Sequence, residues 1–240
     1  MTLYYVTGMH SSGTSLTARY LSLCNVNMMG NLEVDKLCEH RPLRKVSHAI
    51  LRDSKIHRYD TSFDFSHINP SDSTKQLMKK TAQTNLNYTN GNWGFKAPIL
   101  SLTIWAWIPL LKTLVDDEII VVNIFRHPAE LIPSFQRRKS RKDNAFVSQN
   151  NTPEKHIERI WYNYYKSVLD YEQAFNQKTI YLKIDDLLQN PKKFTDLLGI
   201  DFKPITEVYN PKLFIQLNKV DFYNLESVKL WDKLTEKSMF

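Results

Sequence analysis

Between Leu3 and Leu23 the chain passes from a short apolar run, Leu3 to Val6, through a turn bracketed by Gly8 and Gly13, into a helical stretch from Leu16 to Leu23. A strand that enters a helix through so short a glycine-bounded loop fixes where the first crossover begins. It also aims the first backbone N–H groups of the helix at the space beyond the strand. Successive amides from Ser11 to Ser15, with the hydroxyls of Ser12, Thr14 and Ser15, then make a concave nest for two or three anionic oxygens. The plain alternative is an ordinary strand–turn–helix whose serines and glycines serve only as turn and cap residues.

The glycine spacing of this loop is that of a phosphate-binding P-loop, but Thr14 stands where such loops carry the lysine that reaches the outer phosphates. A phosphate or sulfate ester suits it better than a nucleoside triphosphate with magnesium. A second cluster adds weight. Glu118 to Phe125 is a near-continuous apolar run of the kind found in a central parallel strand, and it ends at Arg126-His127-Pro128. Ligands of open parallel sheets bind beyond the carboxyl ends of the strands, so Arg126 and the Gly8 loop can share one sheet edge. Pro128 fits a first helical position, and Ser134 follows on that helix within reach of the same anion. Two separated anion points suit a ligand with phosphates at both ends.

The periodicity predicts strands at 3–7, 92–96, 118–125 and 179–184, with helices at 14–24, 42–52, 72–84, 100–115, 128–139, 153–175, 191–198 and about 225–234. Strands separated by helices imply right-handed crossovers. With 240 residues, 42% of them hydrophobic, the expectation is one α/β, P-loop-like domain over residues 1–240, a central parallel sheet flanked by helices. In the longest helix, started by Thr152 and Pro153, the stripe Ile157, Ile160, Trp161, Tyr164 and Val168 is read as core packing rather than a ligand box, and Leu230 and Trp231 of the last helix are expected inward. Residues 53–71 and 140–152 lack periodicity and are candidate substrate or lid loops.

On these residues the chain resembles the PAPS-dependent sulfotransferases of bacterial type. Gly8 to Ser15 looks like their loop for the 5′-phosphosulfate, and Arg126 with Ser134, in RHPAELIPS, looks like their pair for the 3′-phosphate. Trp93-Gly94-Phe95-Lys96-Ala97-Pro98 resembles the strand that delivers a catalytic or substrate-contacting residue, and Lys183 to Leu187 with Asn190-Pro191 resembles their late strand and loop. The resemblance runs in order from residue 3 to about residue 213. It implies PAPS as sulfuryl donor, PAP as product, no required metal, and an acceptor hydroxyl or amine, with a glycan or glycolipid slightly favoured. Donor binding then falls to Ser11, Ser12, Gly13, Thr14, Ser15, Arg126 and Ser134, and catalysis to Lys96 and His10.

The departures are specific. Ser11 stands where many members have Lys or Arg, which removes a cation near the bridging oxygen, a role open to His10 or Lys96. Lys96-Ala97-Pro98-Ile99 lacks the carboxylate and guanidinium of the usual lysine-aspartate-proline-arginine. Lys96 is ranked first because it sits at a strand end that converges on the nest, where it bridges to the sulfuryl group or acts as base if burial lowers its pKa. Its plain alternative is a solvated or paired lysine, and that of His10 a turn cap. Glu39 matches the spacing of a glutamate in bacterial relatives, but an exposed glutamate is the commoner explanation.

Net charge is +7, with the densest run at Arg137, Arg138, Lys139, Arg141 and Lys142, which can attract an anionic nucleotide or acceptor or simply be a solvated helix end. No zinc-finger spacing, helix-turn-helix or aromatic RNA-binding strand accompanies it, so nucleic acid is not the expected partner. Cys24 and Cys38 give no disulfide framework and no metal-ligand spacing. Ile104 to Leu114 is apolar but too short to span a bilayer and is broken by Pro109, and the expected location is cytoplasmic. Two rival readings are kept: a P-loop nucleotide kinase, and a catalytically inactive nucleotide-binding or scaffold protein of the same fold, for which Ser11, Ala97 and Ile99 speak.

Overall fold

The computed structural model describes residues 1–28, 39–60, 62, 64–86, 91–138, 154–209 and 222–238, with the backbone alone for 85–86 and 135–138. Four parallel strands form one sheet in the order β2-β1-β3-β4: β1 (Thr2–Thr7), β2 (Trp93–Lys96), β3 (Glu118–Phe125) and β4 (Thr179–Lys183). β1 sits between β2 and β3, pairing Val6 with Lys96 on one side and Thr7 with Asn123 on the other. That register puts the Gly8 loop, Lys96 and the end of β3 at one edge of the sheet, as the sequence predicts for an α/β domain of this kind.

The strands are covered on both faces. Leu3, Tyr5, Val121 and Phe125 pack into one core, Tyr4, Val6, Val122 and Ile124 into the other, so the alternation of the pleat sorts neighbouring residues into separate layers. The larger core is closed by α2 (Arg41–Asp53), α3 (Asp72–Leu86), α4 (Leu100–Lys112), α5 (Pro128–Arg138), α6 (Glu154–Phe175) and α9 (Leu225–Lys237). The smaller one lies under α1 (Thr14–Leu23), α7 (Ile184–Gln189) and α8 (Pro191–Leu198). Local signals agree with these boundaries: Pro191 opens α8 and Gly199 closes it at φ 63°, while Asn224 caps α9 by accepting from Glu226 N at 2.8 Å. Ile157, Ile160, Trp161, Tyr164 and Val168 are all buried, as is Leu230, and Trp231 packs against the same core.

Three differences from the expectation have physical reasons. β4 stops at Lys183, and Ile184 opens α7, a helix the sequence reading passed over because Ile184 looks like a further strand residue. Asp185 and Asp186 in its first turn suit the positive end of a helix. α4 ends at Lys112 rather than 115, with Thr113, Leu114 and Val115 turning on i−3 and i−4 bonds. Within 53–71, a short 3-10 turn at Phe65–His67 is capped by Asp64, and Ile56, Tyr59 and Phe65 anchor the segment in the core. The 140–152 stretch, with Lys139, Arg141 and Lys142 of the basic run, lies outside the described residues, as do the side chains of Arg137 and Arg138.

Candidate functional site

The Gly8–Ser15 loop is held chiefly through its backbone. Gly8 N donates to Ser101 Oγ at 3.1 Å, and that hydroxyl is 2.6 Å from Thr7 Oγ1. Met9 N donates to Tyr165 Oη at 3.1 Å, and Tyr165 donates in turn to Ile124 O at 3.0 Å. A Cβ on Gly8 (φ 140°) would lie 2.2 Å from Ile124 O, and one on Gly13 (φ 105°) would lie 2.4 Å from Ile184 Cδ1. Both glycines are therefore demanded by close approach as well as by backbone conformation. Ser11 adopts φ 72°, and its Oγ lies 2.7 Å from Ser134 Oγ on α5.

Not every donor assigned to the nest faces outward. Ser12 is fully buried, its N and Oγ both turned onto Met9 O at 3.2 and 2.6 Å, so its hydroxyl and amide stiffen the loop instead of facing an anion. Gly13 is the N-cap of α1 and offers no side chain to it, while Thr17 N takes Gly13 O at 3.0 Å. The N–H groups of Thr14, Ser15 and Leu16 are those that a first helical turn leaves without intrahelical acceptors, and they mark the positive end of α1. Thr14 itself is 3% exposed.

Lys96 reaches this helix start from β2. It is 1% exposed, with Nζ 3.0 Å from Ser15 Oγ and 3.6 Å from Glu39 Oε1. Glu39 is itself buried, contrary to the exposed glutamate expected from sequence, and its other oxygen meets Arg44 of α2 at 2.9 Å. The reason lies in the backbone: His40 N donates to Lys96 O at 3.2 Å and His40 Nδ1 caps α2 through Leu43 N, which pulls residue 39 against the end of β2. Lys96, Glu39 and Arg44 thus form a charge chain leading from the helix start. His10 is half-buried, its ring 6.1 Å from that of Tyr164.

At the end of β3, Arg126 is 6% exposed and ion-paired through Nε with Glu130 one turn along α5. Its carbonyl accepts from Trp161 Nε1 at 2.9 Å. Burial pushes the Glu130 carboxyl up against the lowering pull of Arg126. His127 is half-buried, 4.4 Å from the Phe222 ring and 5.0 Å from Trp231, with its pKa lowered by burial and then by Lys183. The two anion points read as separate in the sequence are joined by the Ser11–Ser134 contact. Ser101 and Tyr165, which brace the loop, escaped the sequence reading, and Trp161, which holds the end of β3, was read only as core packing. An aromatic stripe signals burial but not what its polar tips hold.

Among the described residues no group of three or more His, Cys, Asp or Glu could hold a metal ion, and no helix is long and apolar enough to cross a membrane. No family model matches the chain, and no curated protein matches it in sequence. Among solved structures it is similar to the sulfotransferase domain from the curacin biosynthetic pathway, with a TM-score of 0.55 and 16% identity over 97% of this chain and 96% of that one. At that identity the likeness is one of fold: a helix-flanked parallel sheet with a P-loop-like first crossover.

Proposed function

We propose that this protein is a sulfotransferase that moves the sulfuryl group of PAPS to a hydroxyl or amine of an acceptor, with a glycan or glycolipid the favoured class. One observation carries the reading: the loop lacks the lysine of a nucleoside-triphosphate site, yet Lys96 of a neighbouring strand brings an ammonium to 3.0 Å from Ser15 Oγ at the start of α1. A cation placed there, with helix-start amides beside it, suits the charge that develops on the leaving phosphate oxygen.

The residues divide the work. Amides of Gly13 to Ser15 and the Ser11 and Ser15 hydroxyls hold the 5′-phosphosulfate end, and Arg126 with Ser134 hold the 3′-phosphate. Bond making joins the acceptor oxygen or nitrogen to sulfur as the bond from sulfur to the phosphate oxygen breaks, so the electron pair ends on PAP and the acceptor proton must leave. Lys96, ion-paired to Glu39, acts as the cation on the transferring group. As Lys96 turns to the donor, Glu39 is released to take that proton, and His10 is the other candidate for this step.

The test is calorimetry with PAP beside a labelled-PAPS transfer screen over glycan, lipid, small-hydroxyl and tyrosine acceptors. PAP should bind without added metal, and Arg126→Ala should weaken it by about tenfold to a hundredfold, the range for a charge-assisted contact. Lack of association with PAP or PAPS, or tight binding of ATP with magnesium instead, would overturn the assignment.

A further inference from the structure

Glu39 directly precedes His40, the N-cap of α2, and Arg44 is the fourth residue of that helix. Side chains at these two positions meet across the first turn, where many helices place an apolar contact. Here the contact is an ion pair, Arg44 Nη1 to Glu39 Oε2 at 2.9 Å. The helix itself does not call for this cation. α2 has no acidic residue in its first turn but carries Arg41 and Arg44 near its start, the positive end of its dipole, where cations are disfavoured. The reason for Arg44 therefore lies in the group it meets, a buried carboxylate beside Lys96.

Distances separate the roles of the two cations. Lys96 Nζ lies 3.6 Å from Glu39 Oε1, beyond hydrogen-bond length, and 3.0 Å from Ser15 Oγ, whereas Arg44 meets Oε2 at hydrogen-bond length. Lys96 is the looser partner, and Arg44 ties the carboxylate to α2. Each takes a different oxygen, so Oε1 faces the ammonium that meets the start of α1. His48, one turn beyond Arg44, feels both charges, yet burial and then Arg58 and Arg44 push its pKa down to about 4. It is neutral at ordinary pH and brings no cation to the carboxylate. We infer that Arg44 is a positioning residue for proton removal, holding Glu39 by Oε2 so that Oε1 stays in place to take the acceptor proton when Lys96 turns to the donor. In that step the proton passes from the acceptor oxygen or nitrogen to Oε1 as that atom bonds to sulfur, and the electron pair of the breaking bond from sulfur to the phosphate oxygen leaves with PAP. Arg44 acts through Glu39 and enters none of these bonds. The inference rests on the sulfotransferase reading, with Glu39 rather than His10 as the proton acceptor.

Turnover of labelled PAPS by the full chain would be measured with the best acceptor of the screen and with water as acceptor, beside calorimetry with PAP to count competent sites. Arg44→Ala should lower kcat per PAP-binding site by about tenfold to a hundredfold, the scale of a misplaced reacting group, and change the PAP dissociation constant by less than about twofold. An arginine that only supports the fold would leave kcat per competent site unchanged. Glu39→Gln should lower kcat by at least about a hundredfold, and adding Arg44→Ala to it should cost nothing more, because the two side chains act as one unit. Arg44→Lys should fall between alanine and the parent, since it keeps the charge without the planar fork. The Arg44 side chain is 35% exposed, and Arg44→Gln, which keeps most of the stem, should match alanine and decides the matter if alanine fails to fold. With a parent that transfers sulfate, unchanged kcat in Arg44→Ala or Arg44→Gln would overturn the inference alone, as would an equal further loss in the Glu39→Gln background or full turnover in Glu39→Gln itself. A parent that neither binds PAP nor transfers sulfate would overturn the sulfotransferase reading and the inference with it.

Discussion

The Gly8–Ser15 loop and the Lys96–Glu39–Arg44 chain meet at one atom pair, Ser15 Oγ and Lys96 Nζ, but they are held by different means. The loop is over-determined by backbone: Gly8 N on Ser101, Met9 N on Tyr165, Ser12 folded onto Met9 O, and two glycines with no room for a Cβ. The chain beside it is a set of charges, each placed by the next. A loop locked by neutral hydrogen bonds keeps its amides aimed without a ligand, which is preorganisation. A buried ammonium balanced by a carboxylate can exchange that carboxylate for a developing anion, which is responsiveness. The transfer proposed for this site needs both properties, and here they sit on separate elements.

The largest effect should come from the charge side. Lys96→Ala takes the ammonium from buried Glu39, which keeps its pair with Arg44, and takes the cation from Ser15. Transfer should fall by at least about a thousandfold, near 4 kcal/mol of transition-state stabilisation, measured as turnover of labelled PAPS. Glu39→Gln in the same background should not restore turnover, because it leaves the missing cation unreplaced. If the single variant keeps full turnover, Lys96 is structural and the comparison collapses.

On the loop side the prediction is stability first. Gly8→Ala must place a methyl group 2.2 Å from a backbone carbonyl at φ 140°, and a backbone atom cannot swing aside. A cost of about 3 kcal/mol is expected, lowering the melting temperature by about 6–12 °C for a chain of this length. Gly13→Ala meets the Ile184 side chain rather than backbone, so it should cost less despite its own positive φ. A reversal of that order would show that conformation, not contact, governs this loop.

Tyr165→Phe probes the brace between the two regions and the core. It strips Met9 N of its acceptor and Ile124 O of a donor while leaving the ring in place. Burial pushes the phenol up against the lowering pull of Ser12 and Met9 N, which keeps it a donor at any working pH. The loss should be about 1–3 kcal/mol in denaturant unfolding, with a parallel weakening of PAP. A weakened PAP affinity at unchanged stability would move Tyr165 from brace to ligand contact.

What could be read from the sequence follows the same division. Gly8 and Gly13 betray a loop because only glycine takes those positions, and Glu118 to Phe125 betrays a central strand because a strand covered on both faces must be apolar throughout. Lys96 was visible as a lysine at a strand end. Its partner was not: Glu39 follows a stretch with no periodic pattern, and it comes against the end of β2 through the bond from His40 N to Lys96 O, a pairing across more than fifty residues. The inward turn of Ser12 was equally hidden, since a serine hydroxyl in a loop can cap the loop or meet a ligand with the same spacing. α7 was missed because Ile184 serves as strand end in pattern and as the wall behind Gly13 in space.

The smallest effect sharpens the comparison at the end of β3, where packing and charge act on one residue. His127 Nδ1 accepts from Ala129 N at 3.3 Å, which fits a neutral ring between Phe222 and Trp231. Burial, and then Lys183, lowers its pKa below the ordinary 6.5, so the folded chain prefers the neutral form. A depressed value means that the stability tied to His127 is fully present above the unfolded value and is lost as pH falls through the folded one. Protonation would also turn the Nδ1 acceptor into a donor facing the Ala129 N–H. His48 and His57, both lowered first by burial and then by Arg58, add slopes of the same sign, so the informative quantity is a difference. Melting temperatures of the parent and His127→Gln should converge as pH is lowered from about 7 toward about 5, because the variant lacks the titrating ring. Curves that stay parallel would mean that His127 is not a pH-sensitive support of the Arg126 end.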